Sequence, residues 1–139
     1  MKVIGFDKKE RVWSLSCNTS VVSDKNRSDL HISCRELLRE IFPYDIILEE
    51  ILLPGSNREA RQSLLYADFF LPNKKLIVEV HGKQHYEYIR HFHKTKLNFR
   101  KSIARDNDKI EWCELNNFSI VILPYNNIDS WKGLINDRK

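Results

Sequence analysis

The chain has 139 residues, 42% apolar and 30% charged, with a formal charge of +4. That is the size and composition of one globular domain, with no room for a second catalytic domain and too much apolar content for a disordered chain. No apolar run is long enough to span a bilayer and no signal-peptide pattern opens the sequence, which predicts a cytoplasmic protein.

In chain order, residues 3–6 and 12–16 read as two short strands around the charged turn Asp7-Lys8-Lys9-Glu10, followed by a polar loop over residues 17–29. Leu30, Cys34, Leu37, Leu38 and Ile41 then recur at helical spacing until Pro43 stops the helix. Ser33-Cys34-Arg35-Glu36 fits a capping box in this helix, with Glu36 reaching back to the cap N–H. Residues 46–53 form a β-rich run closed by Pro54-Gly55, and a polar segment over residues 56–63 carries Arg58 and Arg61.

Two further β-rich runs flank Pro72-Asn73-Lys74-Lys75. Pairing them about that turn sets Leu71 against Leu76, Phe70 against Ile77 and Asp68 against Glu79. Opposed residues on paired strands lie about 4.5–5.5 Å apart, close enough for two carboxylates to share one divalent cation. Alternation assigns Ala67, Phe69, Leu71, Leu76, Val78 and Val80 to an apolar core face. Tyr66, Asp68, Phe70, Ile77, Glu79 and His81 fall on the other, with the polar members gathered away from the turn. Like-charged carboxylates this close repel unless a cation or proton lies between them. His81 shares a face with Glu79, and an imidazole titrating near 6.5 when unperturbed can relay a proton at neutral pH.

After His85 an aromatic and His-rich stretch leads into a long helix reaching Asn116, then a strand over residues 118–123 ending at Pro124, and a closing helix over residues 128–135. The long helix has an apolar stripe of Phe99, Ile103, Ile110 and Cys113 in steps that place Asp106 inside it, where an unpaired charge costs several kcal/mol. Arg105 or Lys109 is one partner for Asp106; a cluster around the carboxylates is the other. Residues 83–109 hold eight Lys or Arg (Lys83, Arg90, Lys94, Lys96, Arg100, Lys101, Arg105 and Lys109) against three acids. A basic rim beside a carboxylate site suits a phosphate polymer.

Asp68-Phe69-Phe70-Leu71-Pro72, followed by Val78-Glu79-Val80-His81-Gly82-Lys83-Gln84-His85, resembles the PD-(D/E)XK nuclease superfamily. Within it the likeness is greatest to the very-short-patch-repair (Vsr) endonucleases and the related phage and intron-type homing nucleases, over roughly residues 33–124. The resemblance implies an α/β restriction-endonuclease-like core, α-β-β-β-α-β with a mixed sheet flanked by helices. Residues 30–124 would form this core, with an N-terminal β-hairpin extension in residues 1–29 and a C-terminal helix in residues 125–139. It implies a cytoplasmic, bacterial or phage-encoded Mg²⁺-dependent DNA endonuclease, with Mn²⁺ as substitute, acting on DNA and possible as a homodimer there. Asp68 and Glu79 would hold the metal, aided by the carbonyl of Glu79 or Val80. His81 and His85 would handle protons, with Asp106 and Glu36 as further site members.

Phosphate contacts would come from Arg58, Arg61, Lys83, Lys94, Lys96, Arg100, Lys101 and Arg105. His81 departs from the superfamily pattern, which has Lys two positions after the Glu; Lys83 and Gln84 are the nearby candidates for that missing role. Cys17, Cys34 and Cys113 are an odd, widely spaced set that reads as buried free thiols. The alternative is a structural zinc of the kind some Vsr-type enzymes carry, on Cys17, Cys113 and a His. A junction resolvase or other structure-specific nuclease on the same core, or a non-catalytic nucleic-acid-binding module, are the rival functional readings.

Overall fold

A computed structural model describes residues 1–15 and 28–138. Cys17 and most of the expected polar loop therefore lie outside the described residues. A small antiparallel hairpin, β1 (Lys2–Ile4) and β2 (Glu10–Val12), opens the chain, both strands shorter than alternation predicts. Its turn is tied by Asp7, which accepts from the Lys9 amide and pairs with Arg11. The Asn116 side chain accepts from the Ile4 amide and donates to the Ile4 carbonyl, docking the hairpin onto the end of the long helix.

Helix α1 (Asp29–Ile41) begins at Ser28, whose hydroxyl accepts the His31 amide at 3.1 Å. The expected capping box at Ser33 is thus corrected. Ser33 and Glu36 lie inside the helix, where the amides already bond within the helix. Strands β3 (Leu48–Leu52), β4 (Tyr66–Leu71), β5 (Leu76–His81) and β6 (Ser119–Pro124) form one mixed sheet in that spatial order. The first three are antiparallel, and β6 runs parallel to β5. Between β5 and β6 the chain passes through a one-turn helix, α2 (Arg90–His93), and the long helix α3 (Lys96–Leu115), as a parallel connection requires. Helix α4 (Trp131–Asn136) closes the described chain. Among the described residues no helix is long and apolar enough to cross a membrane.

The β4–β5 register is the expected one: Leu71 faces Leu76, Phe70 faces Ile77 and Phe69 faces Val78. Pro72–Lys74 makes a single 3₁₀ turn, and Lys75 adopts a left-handed φ of 49° to close it. The sheet is buried on both sides. Phe69, Leu71, Leu76 and Val78 pack against Cys34 and Leu38 of α1 and Trp131 and Ile135 of α4. Phe70 and Ile77 pack with Trp13, Trp112, Cys113 and Phe118, and Trp13 stacks on Phe70 at 4.7 Å. Each such side chain, fully buried, contributes about 1.5–3 kcal/mol.

Two expectations about faces need correction. Ala67 packs with Phe70 and Ile77 rather than with Phe69, because strict alternation fails where Glu50, with a φ of 48°, drops out of the β3–β4 ladder beside Asp68. Ile103 is exposed, so the deeply buried part of α3 is confined to Trp112 and Cys113 at its C-terminal end. The middle of the helix instead turns half-buried polar side chains toward the sheet.

Candidate active site

The β4–β5 ladder ends at the pair Phe69 and Val78. One step further along, carboxylates take over the amides that the ladder would have paired. Glu79 Oε2 accepts the Asp68 amide at 2.9 Å, and Asp68 Oδ2 accepts the Val80 amide at 2.9 Å. Short acidic side chains thereby bridge two strands at the point where main-chain pairing stops. On the other side β5 stays paired with β6 through His81 and Pro124.

The second oxygen of Glu79, Oε1, sits 2.5 Å from Lys109 Nζ, an ion pair reached from α3. Among the described residues Oε1 is the buried side-chain oxygen left without a hydrogen bond. Beyond Glu79, the rings of His81 and His85 stack at 4.0 Å and 9°. His85 Nδ1 lies 2.8 Å from Asp106 Oδ2, and His81 Nε2 lies 3.9 Å from Asp106 Oδ1. Asp106 and Lys109 stand three residues apart, on one face of α3. Asp68, Glu79, His81, His85 and Lys109 line one open cavity of about 370 Å³, together with Ser28, His31, Glu50 and Gln84.

Burial, and then the neighbouring Glu79 charge, push the Asp68 carboxyl up to about 7. The pair repels as its spacing predicts, and only part of its charge is balanced by Lys109. Burial works against the Lys109 ammonium, but Glu79 and Asp68 outweigh it and hold Lys109 above the ordinary lysine range. Burial, reinforced by His85, pulls His81 down to about 4, so its imidazole is neutral at pH 7. The three side chains His81, His85 and Asp106 bring ligand atoms within 4.8 Å of one another, as a metal site requires.

A second buried polar group backs the cavity. Glu49 on β3 receives Arg35 Nε at 2.9 Å and lies 2.6 Å from His31 Nε2, with His31 stacked on Phe69 at 4.4 Å. Burial opposes the Glu49 charge, but the bonds from Arg35 and His31 more than offset it and lower its pKa. The residue that α1 presents to the cavity is therefore His31; Glu36 is exposed and does not line it.

Asp68, Glu79, His81, His85 and Asp106 converge as the motif predicts, and of the two partners open to Asp106 it takes the cluster. The basic residues divide. Lys101 and Arg105 line a cleft with Lys94, Phe92 and His93. Arg105 also lines a second cleft, shared with Ser102, His85, Asp106 and Lys109. The second cleft shares His85 and Lys109 with the main cavity and Arg105 with the first, so the three follow one another along α3. Lys96 and Arg100 are exposed on the same helix, and Lys83 pairs loosely with Glu87. Arg58 and Arg61 are already engaged: both pair with Asp108 at 3.0 Å, Arg58 also pairs with Glu111, and its guanidinium covers the Phe6 ring.

Sequence reasoning missed Lys109, His31 and Glu50 as site residues. Glu50 falls opposite Asp68 by the β3–β4 register, and its left-handed φ beside a carboxylate pair was the kind of strain that sequence patterning does not carry. Cys34 and Cys113 are free and buried, as expected of structural thiols, and burial pushes the Cys113 thiol up to about 12.

No family model matches the chain, and no solved structure matches it. The chain is similar to uncharacterized protein 307L of Invertebrate iridescent virus 6, with 44% identity over 61 residues. That stretch is 44% of this chain and 31% of the viral protein, so the chain spans about a third of this relative's length.

Proposed function

We propose that the protein is a metal-dependent endonuclease that hydrolyses DNA phosphodiester bonds, on a Vsr-like restriction-endonuclease core. The observation that carries this reading is the Asp68–Glu79 pair, two acids in direct register at the mouth of a parting hairpin, beside the stacked imidazoles of His81 and His85. The order α1-β3-β4-β5-α3-β6, with a parallel last strand, supports the same core.

The residues fit a hard divalent cation such as Mg²⁺, for which Mn²⁺ would substitute. Asp68 is held at a raised pKa by burial and by Glu79, and Glu79 Oε1 lacks a hydrogen bond; a cation between them would relieve both. Asp68 and Glu79 would hold it. Bound there, it would polarise the scissile phosphate and acidify an attacking water.

The remaining work falls to side chains. His81, neutral at pH 7, can accept a proton from water. His85 is oriented by its contact with Asp106 and can donate one to the leaving oxygen. The line of clefts past Arg105, Lys101 and Lys94 gives a phosphate backbone a cationic path leading away from the cavity. Incubation with supercoiled plasmid and Mg²⁺ tests the reading. Nicking or linearisation that EDTA abolishes is the expected result; tight DNA binding without cleavage in Mg²⁺ or Mn²⁺ would make the protein a binding module instead.

A further inference from the structure

The strand that carries Glu79 has His81 where the superfamily pattern expects a lysine, yet the cavity is not without one. Lys109 enters from α3, one helical turn beyond Asp106, with its side chain only 16% exposed and its ammonium against Glu79. Glu79 has two oxygens with different commitments. Oε2 is bound to the Asp68 amide; Oε1 faces Lys109 alone.

A divalent cation shared by Asp68 and Glu79 needs an oxygen of Glu79, and Oε1 is the one that can be given without breaking a main-chain hydrogen bond. An ammonium 2.5 Å from that oxygen cannot stay in place once a doubly charged ion occupies it. Lys109 carries four rotatable bonds and a compact point charge, so it can move without disturbing α3. The neighbouring cleft that it also lines holds Arg105, on the phosphate path.

Resting on the nuclease reading, we infer that Lys109 is a resident counter-ion that occupies Glu79 Oε1 in the free protein, yields that oxygen to the divalent cation, and then engages a non-bridging oxygen of the scissile phosphate. The lysine role has moved from the strand to the facing helix. Cation loading and phosphate contact are thereby coupled through one side chain.

The test measures Mn²⁺ binding by calorimetry on wild type, Lys109→Met and Lys109→Gln, beside their cleavage of duplex DNA at saturating Mn²⁺. Both variants should bind Mn²⁺ about tenfold more tightly or better, since a competing unit charge has gone. Both should cleave roughly 10²–10³-fold more slowly, since a donor to the developing phosphate charge has gone too. Lys109→Met leaves Glu79 Oε1 buried without its counter-ion and should melt earlier in EDTA, with Mn²⁺ restoring more of the loss than it adds to wild type. Lys109→Gln retains a hydrogen-bond donor and keeps the comparison possible if the Met variant does not fold. Unchanged Mn²⁺ affinity in a folded variant, or cleavage at the wild-type rate, overturns the role of Lys109 while leaving the nuclease reading standing. A wild type that neither binds Mn²⁺ nor cleaves removes both.

Discussion

Asp68 and Glu79 exchange partners across the hairpin: each carboxylate accepts an amide from the other's strand, Asp68 from Val80 and Glu79 from Asp68 itself. Two acids that repel are thus held together by the main chain. Asp68→Asn keeps the shape and removes one charge, so it should abolish cleavage and yet raise stability in EDTA. The Asp68 pKa is raised in the folded state, from 3.8 to about 7, so the stability it allows is complete below about 3.8 and is lost as pH rises through 7. The gain from Asp68→Asn should therefore be smallest near pH 4 and grow to about 4 kcal/mol by pH 8, read by urea titration. A variant that is less stable than wild type at pH 8 would contradict the assigned repulsion.

His81 titrates in the opposite sense. Its pKa falls from 6.5 to about 4 on folding, so the stability tied to neutral His81 is present above 6.5 and lost as pH drops through 4. The same shift moves the acid limb expected near 6.5 for an unperturbed histidine. A pH–rate profile at saturating Mg²⁺ should hold activity down to about pH 5 in wild type, and His81→Ala should lose roughly 10²–10⁴ in rate at pH 7. A limb centred near 6.5 that vanishes in His85→Ala would transfer the base role to His85.

Asp106 orients His85 through its 2.8 Å contact with Nδ1. Asp106→Asn should lower cleavage by roughly 10²–10⁴ while leaving Mn²⁺ affinity within a few-fold of wild type. Calorimetry and single-turnover rates on one preparation check both halves of that expectation.

The basic side chains should separate by experiment as they do in space. Removing Lys101 or Arg105 should weaken duplex binding and reduce the log–log salt slope by about 0.9 for each lost phosphate contact. Arg58→Ala and Arg61→Ala should chiefly lower stability, because Asp108 and Glu111 lose their partners. Filter binding across a salt series and thermal melts distinguish the two groups; a slope change for Arg58→Ala equal to that for Lys101→Ala would place Arg58 on the nucleic acid after all.

Glu49→Ala should be the most destabilising of the carboxylate substitutions. It removes the buried carboxylate that binds the Arg35 guanidinium and takes the His31 ring as its neighbour, at a cost of about 3–5 kcal/mol. Glu50→Ala, a few ångströms of chain away on the exposed edge, should cost far less, and chemical denaturation of the two variants settles the comparison.

Alternation and one turn signal were enough to read the Asp68–Glu79 register, because a period of two leaves a hairpin little freedom once its turn is placed. The steps along α3 likewise put Asp106 on the inward face. Depth was not legible. Helical spacing says which way Ile103 and Lys109 point but not which of them the sheet covers, and here the aliphatic residue is exposed and the lysine is enclosed. Long-range pairing was equally invisible: Arg58 in a polar loop looks the same whether it awaits a phosphate or is matched with Asp108, fifty residues on. Glu36 was read through a cap that Ser28 already supplies.

β5 is anchored unequally along its two edges. Its last three residues are registered by β6 alone, while β4 is tied to them only through the side chains of Asp68 and Glu79. The two carboxylates therefore ride on separate jaws, Glu79 on one braced by a parallel neighbour and Asp68 on one that is not. Their separation can adapt to the radius of whatever ion lies between them by trading two side-chain hydrogen bonds, with no main-chain pair of the sheet broken.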